Sequence, residues 1–453
     1  MEYDNIYMIG IGGIGMSAIA RYFKIKGYRV SGYDRTPSPI TSALTGEGIP
    51  VHFEESPEMI PGDTGRTLVI YTPAIPDDNK ELEYAKAKGY RLLKRSRVLG
   101  EISRGKRTIA VAGTHGKTTT STMAAHILQS SGTGCDAFLG GISKNYDSNL
   151  LTGGNGAMVA EADEFDRSFL QLFPEISVIT SIDADHLDIY RDYGHIKEAF
   201  EEFASQTSRH LIINKKVSLE CNRTEAEIHS YSCEEQCDFY ASGITPAEGG
   251  YFDFDLNYPG GIIKRCRIGT PGKINLENGV AAAAAALLYG IEPEKVKEAL
   301  GSFSGVKRRL DIRVNLPGCS YIDDYAHHPK EIEAAIGSIR DIFPGRRLTA
   351  VFQPHLYTRT RDFADGFAEA LSKADELILL DIYPARELPI EGVTSRLIFD
   401  KVQSDNKILI HRDELMGLLE RKDTDVLATF GAGDIDRFVG PITEMLEKRR
   451  RKC

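Results

Sequence analysis

Ala112-Gly-Thr-His-Gly-Lys-Thr-Thr-Thr120 is the segment of this chain best suited to chemistry. A glycine turn that opens a helix aims backbone N–H groups, and the positive end of the helix dipole, at phosphate oxygens. Here Gly113, Thr114, His115, Gly116 and Thr119 would form the cradle for ATP, and Lys117 would neutralise the β- and γ-phosphates. The Thr118 hydroxyl suits Mg²⁺. The spacing is G-x-x-G-K-T, and the longer G-x-x-x-x-G-K-[ST] form would need glycine where Val111 stands. A short Gly-Lys-Thr can arise by chance in a surface loop. The apolar strand before it and the helical stretch after it favour phosphate binding.

Two acidic clusters follow apolar runs, where α/β proteins place ligands. Glu161-Ala-Asp163-Glu164 follows Ala157–Ala160, and Asp183-Ala-Asp185-His186-Leu-Asp188 follows Ile176–Ile182. Mg²⁺ takes hard oxygen ligands and keeps several waters. One of these carboxylates, with Thr118 and ATP oxygens, could hold an ion. The His186 imidazole is a less usual magnesium ligand, and surface solvation accounts for several of the acids.

A second glycine turn, Gly10-Ile-Gly12-Gly13-Ile14-Gly15, has Asp34 at the end of the next strand. That fingerprint fits NAD, other nucleotide diphosphates, or a turn used only for close packing. Together with the first turn it suggests two different phosphorylated ligands. Farther on stand Lys307-Arg-Arg309, Asp323-Asp-Tyr-Ala-His-His-Pro329 and Gln353-Pro-His-Leu-Tyr-Thr-Arg-Thr-Arg361. The planar guanidinium fork of arginine matches phosphate and carboxylate, although any one of these histidines could be structural.

The elements that must position these residues alternate β and α in three blocks. The first predicts a strand over 6–9, a helix over 16–26, a strand over 28–33 and another over 68–71, running into Thr72-Pro-Ala-Ile-Pro76. The second predicts a strand over 108–112, a helix to about 130, and buried parallel strands at the apolar runs near 157–160, 176–182 and 211–213. Residues 215–270 read as an inserted antiparallel patch, and Val280–Leu288 as a tightly packed helix. The third predicts strands over 321–323, 347–352 and 376–380, with helices over 329–339 and 361–372.

At 453 residues the chain exceeds a single hydrophobic core. A net charge of −10 argues against a broad nucleic-acid footprint, and Lys448-Arg-Arg-Arg-Lys452 reads as a solvated helix end. Seven cysteines without paired spacing fit reduced thiols. No apolar run is long enough for membrane insertion, and the start is a poor signal peptide, so the expected location is cytoplasmic.

Taken in order, the strings GIGGIGMSAIAR, AGTHGKTTT, EADE, DADHLD, GVKRRLD, DDYAHHP, FQPHLYTRTRD, DIYPARELPIEGVTS and FGAGDID resemble the Mur ligase family over nearly the whole chain. The resemblance implies an α/β fold of three domains. A Rossmann-like UDP-sugar domain would cover 1–104, a central P-loop ATPase with a parallel sheet 105–308, and a Rossmann-like domain closing on amino acid and ATP 309–453. The opening glycine string and DIYPARE resemble the branch that joins L-alanine to UDP-N-acetylmuramate through an acyl phosphate, with ATP and Mg²⁺. A monomer or homodimer is expected.

By the same resemblance, Thr118, Glu161 and His186 would be metal ligands, and Lys117, Glu161 and His186 would be catalytic. Asn275 and Asn278 would lie on the adenine side, Asp324 by the ribose, and Arg308 at an ATP phosphate. Tyr325, His327 and Arg359 would surround the amino acid. Gly12, Gly13, Ile14, Gly15, Asp34 and Thr72 would hold the UDP-sugar. Four departures from the family pattern stand out. Phe165 and Arg167 replace Ser and Gly after EADE, Leu356 replaces an arginine, Ile274 replaces His in GxHN, and the Thr72 loop is less serine-rich. Rival readings are a related ligase that attaches a peptide to UDP-N-acetylmuramate, an NAD-dependent oxidoreductase, and a catalytically silent regulator.

Overall fold

A computed structural model of the chain describes residues 3–183, 190, 192–385 and 387–450. Its strands form three sheets. The first contains β1 (Asn5–Ile9), β2 (Arg29–Tyr33), β3 (Val51–His52), β4 (Thr67–Tyr71) and β5 (Arg91–Lys94), in the order β3-β2-β1-β4-β5. Every pairing is parallel. Parallel neighbours need crossovers, supplied here by the helices Ile14–Ile25, Pro39–Gly46 and Lys80–Lys88. Ile6, Tyr7, Met8 and Ile9 are fully buried, which explains why β1 reads as an unbroken apolar run. The strand order reverses at β1, and Gly10 follows it directly, at the crevice where such sheets bind ligands.

The second sheet has ten strands, in the order β15-β14-β13-β12-β11-β10-β6-β9-β7-β8. Its central part comprises β6 (Arg107–Ala112), β7 (Asp136–Ser143), β8 (Ser148–Leu151), β9 (Ala157–Glu161), β10 (Ile176–Ile179) and β11 (His210–Asn214). The remainder is β12 (Glu227–Ser232), β13 (Phe239–Ala247), β14 (Tyr251–Tyr258) and β15 (Gly261–Arg267). The antiparallel pairing expected over 215–270 occurs between β14 and β15, whereas β12 joins β11, and β13 joins β12, in parallel. The stretch between β11 and β12 is long enough to return the chain for a parallel pairing. The alanine-rich run lies within the helix Lys273–Tyr289, where Val280 to Ala286 are fully buried.

The third sheet contains β16 (Asp311–Leu316), β17 (Cys319–Asp324), β18 (Leu348–Phe352), β19 (Glu376–Leu379), β20 (Lys407–Leu409) and β21 (Val426–Phe430). Their order is β16-β17-β21-β18-β19-β20, parallel except for the edge pair β16–β17. The single helix expected over 361–372 is two helices, Tyr357–Asp362 and Ala364–Leu371, because Phe363 leaves helical geometry at φ −116° and ψ 16°.

By compactness the chain forms two units. The first comprises Met1–Thr245, Asp253–Gly269 and Leu276–Ser304, and holds the first two sheets apart from the facing ends of β13 and β14. One apolar core serves both, with Ile6, Met8, Ile19 and Phe23 in the same cluster as Phe138, Leu150 and Met158. Asn149 adds a polar tie to the first helix by donating to the Ile14 carbonyl at 2.6 Å. The second unit comprises Pro246–Phe252, Thr270–Asn275 and Gly305–Cys453. Its two short segments are held to each other by the Gly272 amide, which donates to the Gly250 carbonyl at 2.9 Å. A Cβ on Gly250 would stand 2.7 Å from the Ile342 Cα, so the first of these segments lies directly against the helix Pro329–Ile342. No helix among the described residues is long and apolar enough to cross a membrane.

Candidate active site

The turn between β6 and the helix Lys117–Ser130 is shaped by its backbone. Gly113 has φ +135°, and a Cβ there would lie 2.0 Å from Thr180 Oγ1. Gly116 caps the helix at φ +81°, with the Asn278 side-chain oxygen 2.6 Å from where its Cβ would be. A side chain at Gly116 would displace Asn278, and one at Gly113 would push this turn off the end of β10. That end carries two hydroxyls that hold the turn. Thr180 Oγ1 donates to the His115 carbonyl at 2.5 Å, and Ser181 Oγ accepts from the His115 amide at 2.9 Å. The His115 ring lies 3.2 Å from Asp183, and the Thr114 hydroxyl accepts from the Asp183 amide. Thr118 and Thr119 are buried in the first helical turn. The helix starts without a side-chain cap, so its end suits an anion.

Lys117 folds back over this turn, donating to the Gly113 carbonyl at 2.6 Å and pairing with Glu164 at 2.8 Å. Burial depresses the ammonium's pKa, but Glu164, Asp163 and Glu161 outweigh it, and the net direction is upward. The lysine is therefore a fixed positive charge. Glu161 ends β9, and its Oε2 is buried without a hydrogen-bond partner among the described residues. A buried carboxylate oxygen left in that state is costly, and a hard cation would satisfy it. The donor set thus fits Mg²⁺. His186, Asp185 and Asp188 lie outside the described residues.

The loop after Glu161 reveals how a departure from the family pattern is tolerated. Arg167 adopts φ 52° and ψ 29°, the left-handed conformation that glycine takes most easily, and Asp166 beside it does the same. The glycine shape therefore persists without glycine. Nearby, Arg95 pairs with Asp163 at 3.4 Å, and its guanidinium lies 2.6 Å from where a Cβ on Gly15 would stand. Arg95 thus links the first glycine turn to the acidic loop, although the motifs gave no hint of it.

In that first turn, the Gly12 amide donates to Asp34 Oδ2 at 2.7 Å. Asp34 therefore braces the turn. The helix that follows starts at Ile14 after Gly13, again with no side-chain cap. A Cβ on Gly10 would meet Thr72 Cγ2 at 2.7 Å, placing the Thr72 loop beside the turn.

Residues of the second unit form their own group. Arg308, at φ 62°, donates to buried Asp323 at 3.0 Å and to the Gly431 carbonyl at 2.6 Å. Asp324 accepts from the Leu310 amide at 2.6 Å and the Ala326 amide at 2.7 Å, which fixes the loop bearing Arg308. Tyr325 and His327 meet edge to face at 5.2 Å, and the Arg359 charge acts on both. His355 and Tyr383 extend the cluster, stacked 5.8 Å apart. These two lie in the FQPH and DIYP strings but were not singled out from sequence. Leu356 sits at φ 70° and ψ 140°, a region nearly reserved for glycine, at the start of the helix carrying Arg359. Asn275 donates to the Pro271 carbonyl at 2.7 Å. Asn278, three residues along the same helix, belongs to the first unit and accepts there from Thr120.

Burial pushes the His327 imidazole down to about 4 and the Asp324 carboxyl up to about 6. Between the ordinary 6.5 and about 4, the unfolded chain binds a proton at residue 327 that the folded chain refuses, so acid destabilises the fold. Asp324 acts oppositely. Between about 6 and 3.8 the folded chain keeps a proton that the unfolded chain releases, and acidification adds stability. Denaturant unfolding at about pH 7 and about pH 4.5 should show the wild type losing about 1–3 kcal/mol more than His327→Asn. Equal losses would contradict a buried neutral imidazole.

A glycine turn at an uncapped helix start with a fixed lysine and an unsatisfied carboxylate, together with a second glycine turn on a separate parallel sheet, has the chemistry of an enzyme that uses ATP on a second phosphorylated substrate. Sequence comparison makes this specific. The chain matches the model of the Mur ligase family, catalytic domain, over residues 5–107, the Mur ligase middle domain over 111–286, and the Mur ligase, glutamate ligase domain over 308–433. It belongs to the Mur ligase family, whose members are ATP-dependent ligases. It is 48% identical over 450 residues to a UDP-N-acetylmuramate–L-alanine ligase of Flavobacterium psychrophilum, covering 99% of each chain. To a ligase of the same name from Phocaeicola vulgatus it is 49% identical over 453 residues, covering 98% of each. Among solved structures, the UDP-N-acetylmuramate–alanine ligase of Thermotoga maritima superposes with a TM-score of 0.84 at 27% identity, covering 98% of this chain and 99% of that one.

Proposed function

We propose that the protein joins L-alanine to the muramate carboxylate of UDP-N-acetylmuramate, cleaving ATP to ADP and phosphate, in peptidoglycan precursor synthesis. The observation that carries this reading is near-half identity along the full length of ligases with that name, together with the lysine–carboxylate site at the end of β6 and β9. Gly12, Gly13, Ile14, Gly15, Asp34 and Thr72 hold the UDP-sugar, with the uncapped helix at Ile14 facing its diphosphate. Gly113, Thr114, His115, Gly116, Lys117, Thr118 and Thr119 hold the ATP phosphates. Asn275 and Asn278 serve the adenine side, Asp324 the ribose side, and Arg308 a phosphate. The limits 1–104, 105–308 and 309–453 divide these tasks, and the three matched family segments support that division.

A carboxylate is a poor acyl donor, because oxide is a poor leaving group. A muramate carboxylate oxygen therefore bonds to the γ-phosphorus as the β–γ bridging bond breaks, giving an acyl phosphate and ADP. Lys117 stabilises the charge that moves onto the phosphate oxygens during this transfer. The alanine amine, positioned by Tyr325, His327 and Arg359, adds to the activated carbonyl. The tetrahedral intermediate expels phosphate, and the nitrogen releases its proton. Thr118, Glu161 and His186 would hold Mg²⁺, which when bound screens the repulsion between two anionic reactants. ATP and UDP-sugars place this reaction in the cytoplasm.

ADP release should require ATP, Mg²⁺, UDP-N-acetylmuramate and L-alanine together. Comparing alanine with glycine and serine reads the effect of Leu356, which stands where the family pattern has arginine. Turnover with a peptide acceptor but not with alanine would move the protein to the peptide-attaching branch. No turnover with any acceptor would overturn the catalytic reading.

A further inference from the structure

Three potential ligands lie together on the second sheet and take no part in the reaction above: His210 on β11, with Glu227 and His229 on β12. The parallel register sets His210 opposite Glu227. His229 is two residues beyond Glu227, so strand alternation brings all three side chains to one face. His210 Nδ1 lies 3.1 Å from His229 Nε2 and 3.6 Å from a Glu227 carboxylate oxygen. His229 Nε2 lies 3.8 Å from the same Glu227 oxygen. A tetrahedral ion with nitrogen and oxygen ligands at about 2.0–2.1 Å has ligand–ligand edges of about 3.3–3.4 Å. The three separations bracket that edge, and shifts of a few tenths of an ångström would close the site.

Exposure is graded in a way that suits capture of an ion from solvent. The side chains of His229 and His210 are 7% and 12% exposed, whereas that of Glu227 is 68% exposed. The Phe239 ring meets His229 edge-on at 5.8 Å and fixes its plane. Arg209, the cation next to His210 in sequence, is engaged by Glu175 at 3.2 Å.

We propose that His210, Glu227 and His229 form a binding site for a divalent transition-metal ion of the zinc type, with water in the fourth position. Two imidazoles and one carboxylate are the donors such an ion takes, whereas Mg²⁺ and Ca²⁺ take oxygen. The ion replaces the hydrogen bond between the two rings and ties β11 to β12 at a distance from the reacting groups.

Cobalt(II) is the probe, titrated into the full-length protein in excess Mg²⁺ and followed by its visible ligand-field bands and by equilibrium dialysis. One equivalent with the spectrum of a tetrahedral nitrogen–oxygen site is expected, displaced by Zn²⁺. His210→Gln and Glu227→Gln should each lose that equivalent while retaining ADP release, which reports that they fold. Zn²⁺ should raise the melting temperature of the wild type and leave that of both variants unmoved. Absence of the tetrahedral spectrum, or a stoichiometry that both variants share with the wild type, would overturn the proposal.

Discussion

Lys117→Met should lower turnover by about 10²–10³-fold, or about 2.7–4 kcal/mol of transition-state stabilisation. Methionine keeps most of the side-chain stem and removes only the charge. Two effects then combine, because the same ammonium also neutralises Glu164, whose side chain is 4% exposed. Removing one partner of such a pair costs about 3–5 kcal/mol of stability. The double variant Lys117→Met/Glu164→Gln separates the two. It should recover most of the stability, read by denaturant unfolding, and none of the turnover, read by ADP release. Recovery of turnover would mean that Lys117 serves only to neutralise Glu164.

Gly140→Ala is expected to act on a residue it does not replace. Gly140 lies in β7, and a Cβ there would stand 2.1 Å from Glu161 Oε2 and 2.4 Å from its Cδ. The obstruction is the end of a flexible side chain, so the strand survives and the carboxylate swings away. Overpacking of this kind costs about 1–3 kcal/mol, at the lower end where the neighbour can rotate. A displacement of about 1 Å at a reacting centre costs about 10²-fold in rate. The variant should thus stay folded, lose about 10²-fold in turnover, and need more Mg²⁺ for half-maximal rate. An unchanged Mg²⁺ profile would show that Glu161 does not hold the ion.

The glycine turn between β6 and the helix Lys117–Ser130 was legible because its pattern is local. Glycines, lysine and threonine stand within one short segment, and the strand before and helix after it could be read from apolar pattern. Gly140 carries no such signal. Its importance comes from the neighbouring strand β9, which pairs with β7 on one side and β6 on the other, and no spacing in the sequence announces that pairing. Arg95 was hidden for the same reason, since its partners Gly15 and Asp163 are brought together only by the shared core of the first two sheets. The helix break at Phe363 and the parallel pairing of β12 also depend on tertiary packing that periodicity does not encode. Asp34 shows a subtler limit. Its position was read correctly as the end of a strand beside the glycine turn, but its carboxylate is engaged with the Gly12 amide.

The interleaving of the two units bears on the order in which the chain can finish folding. Domains form largely as they emerge from the ribosome, N-terminal parts first. Pro246–Phe252 and Thr270–Asn275 are synthesised within the stretch that builds the first unit, yet belong to the second. Gly250 fits against Ile342, which is made about ninety residues later, at roughly 5–20 residues per second. These two segments must wait, exposed, for several seconds after their flanking strands are ready. A fragment beginning at Gly305 would never receive them. The C-terminal unit is therefore completed only by chain that was translated before it began.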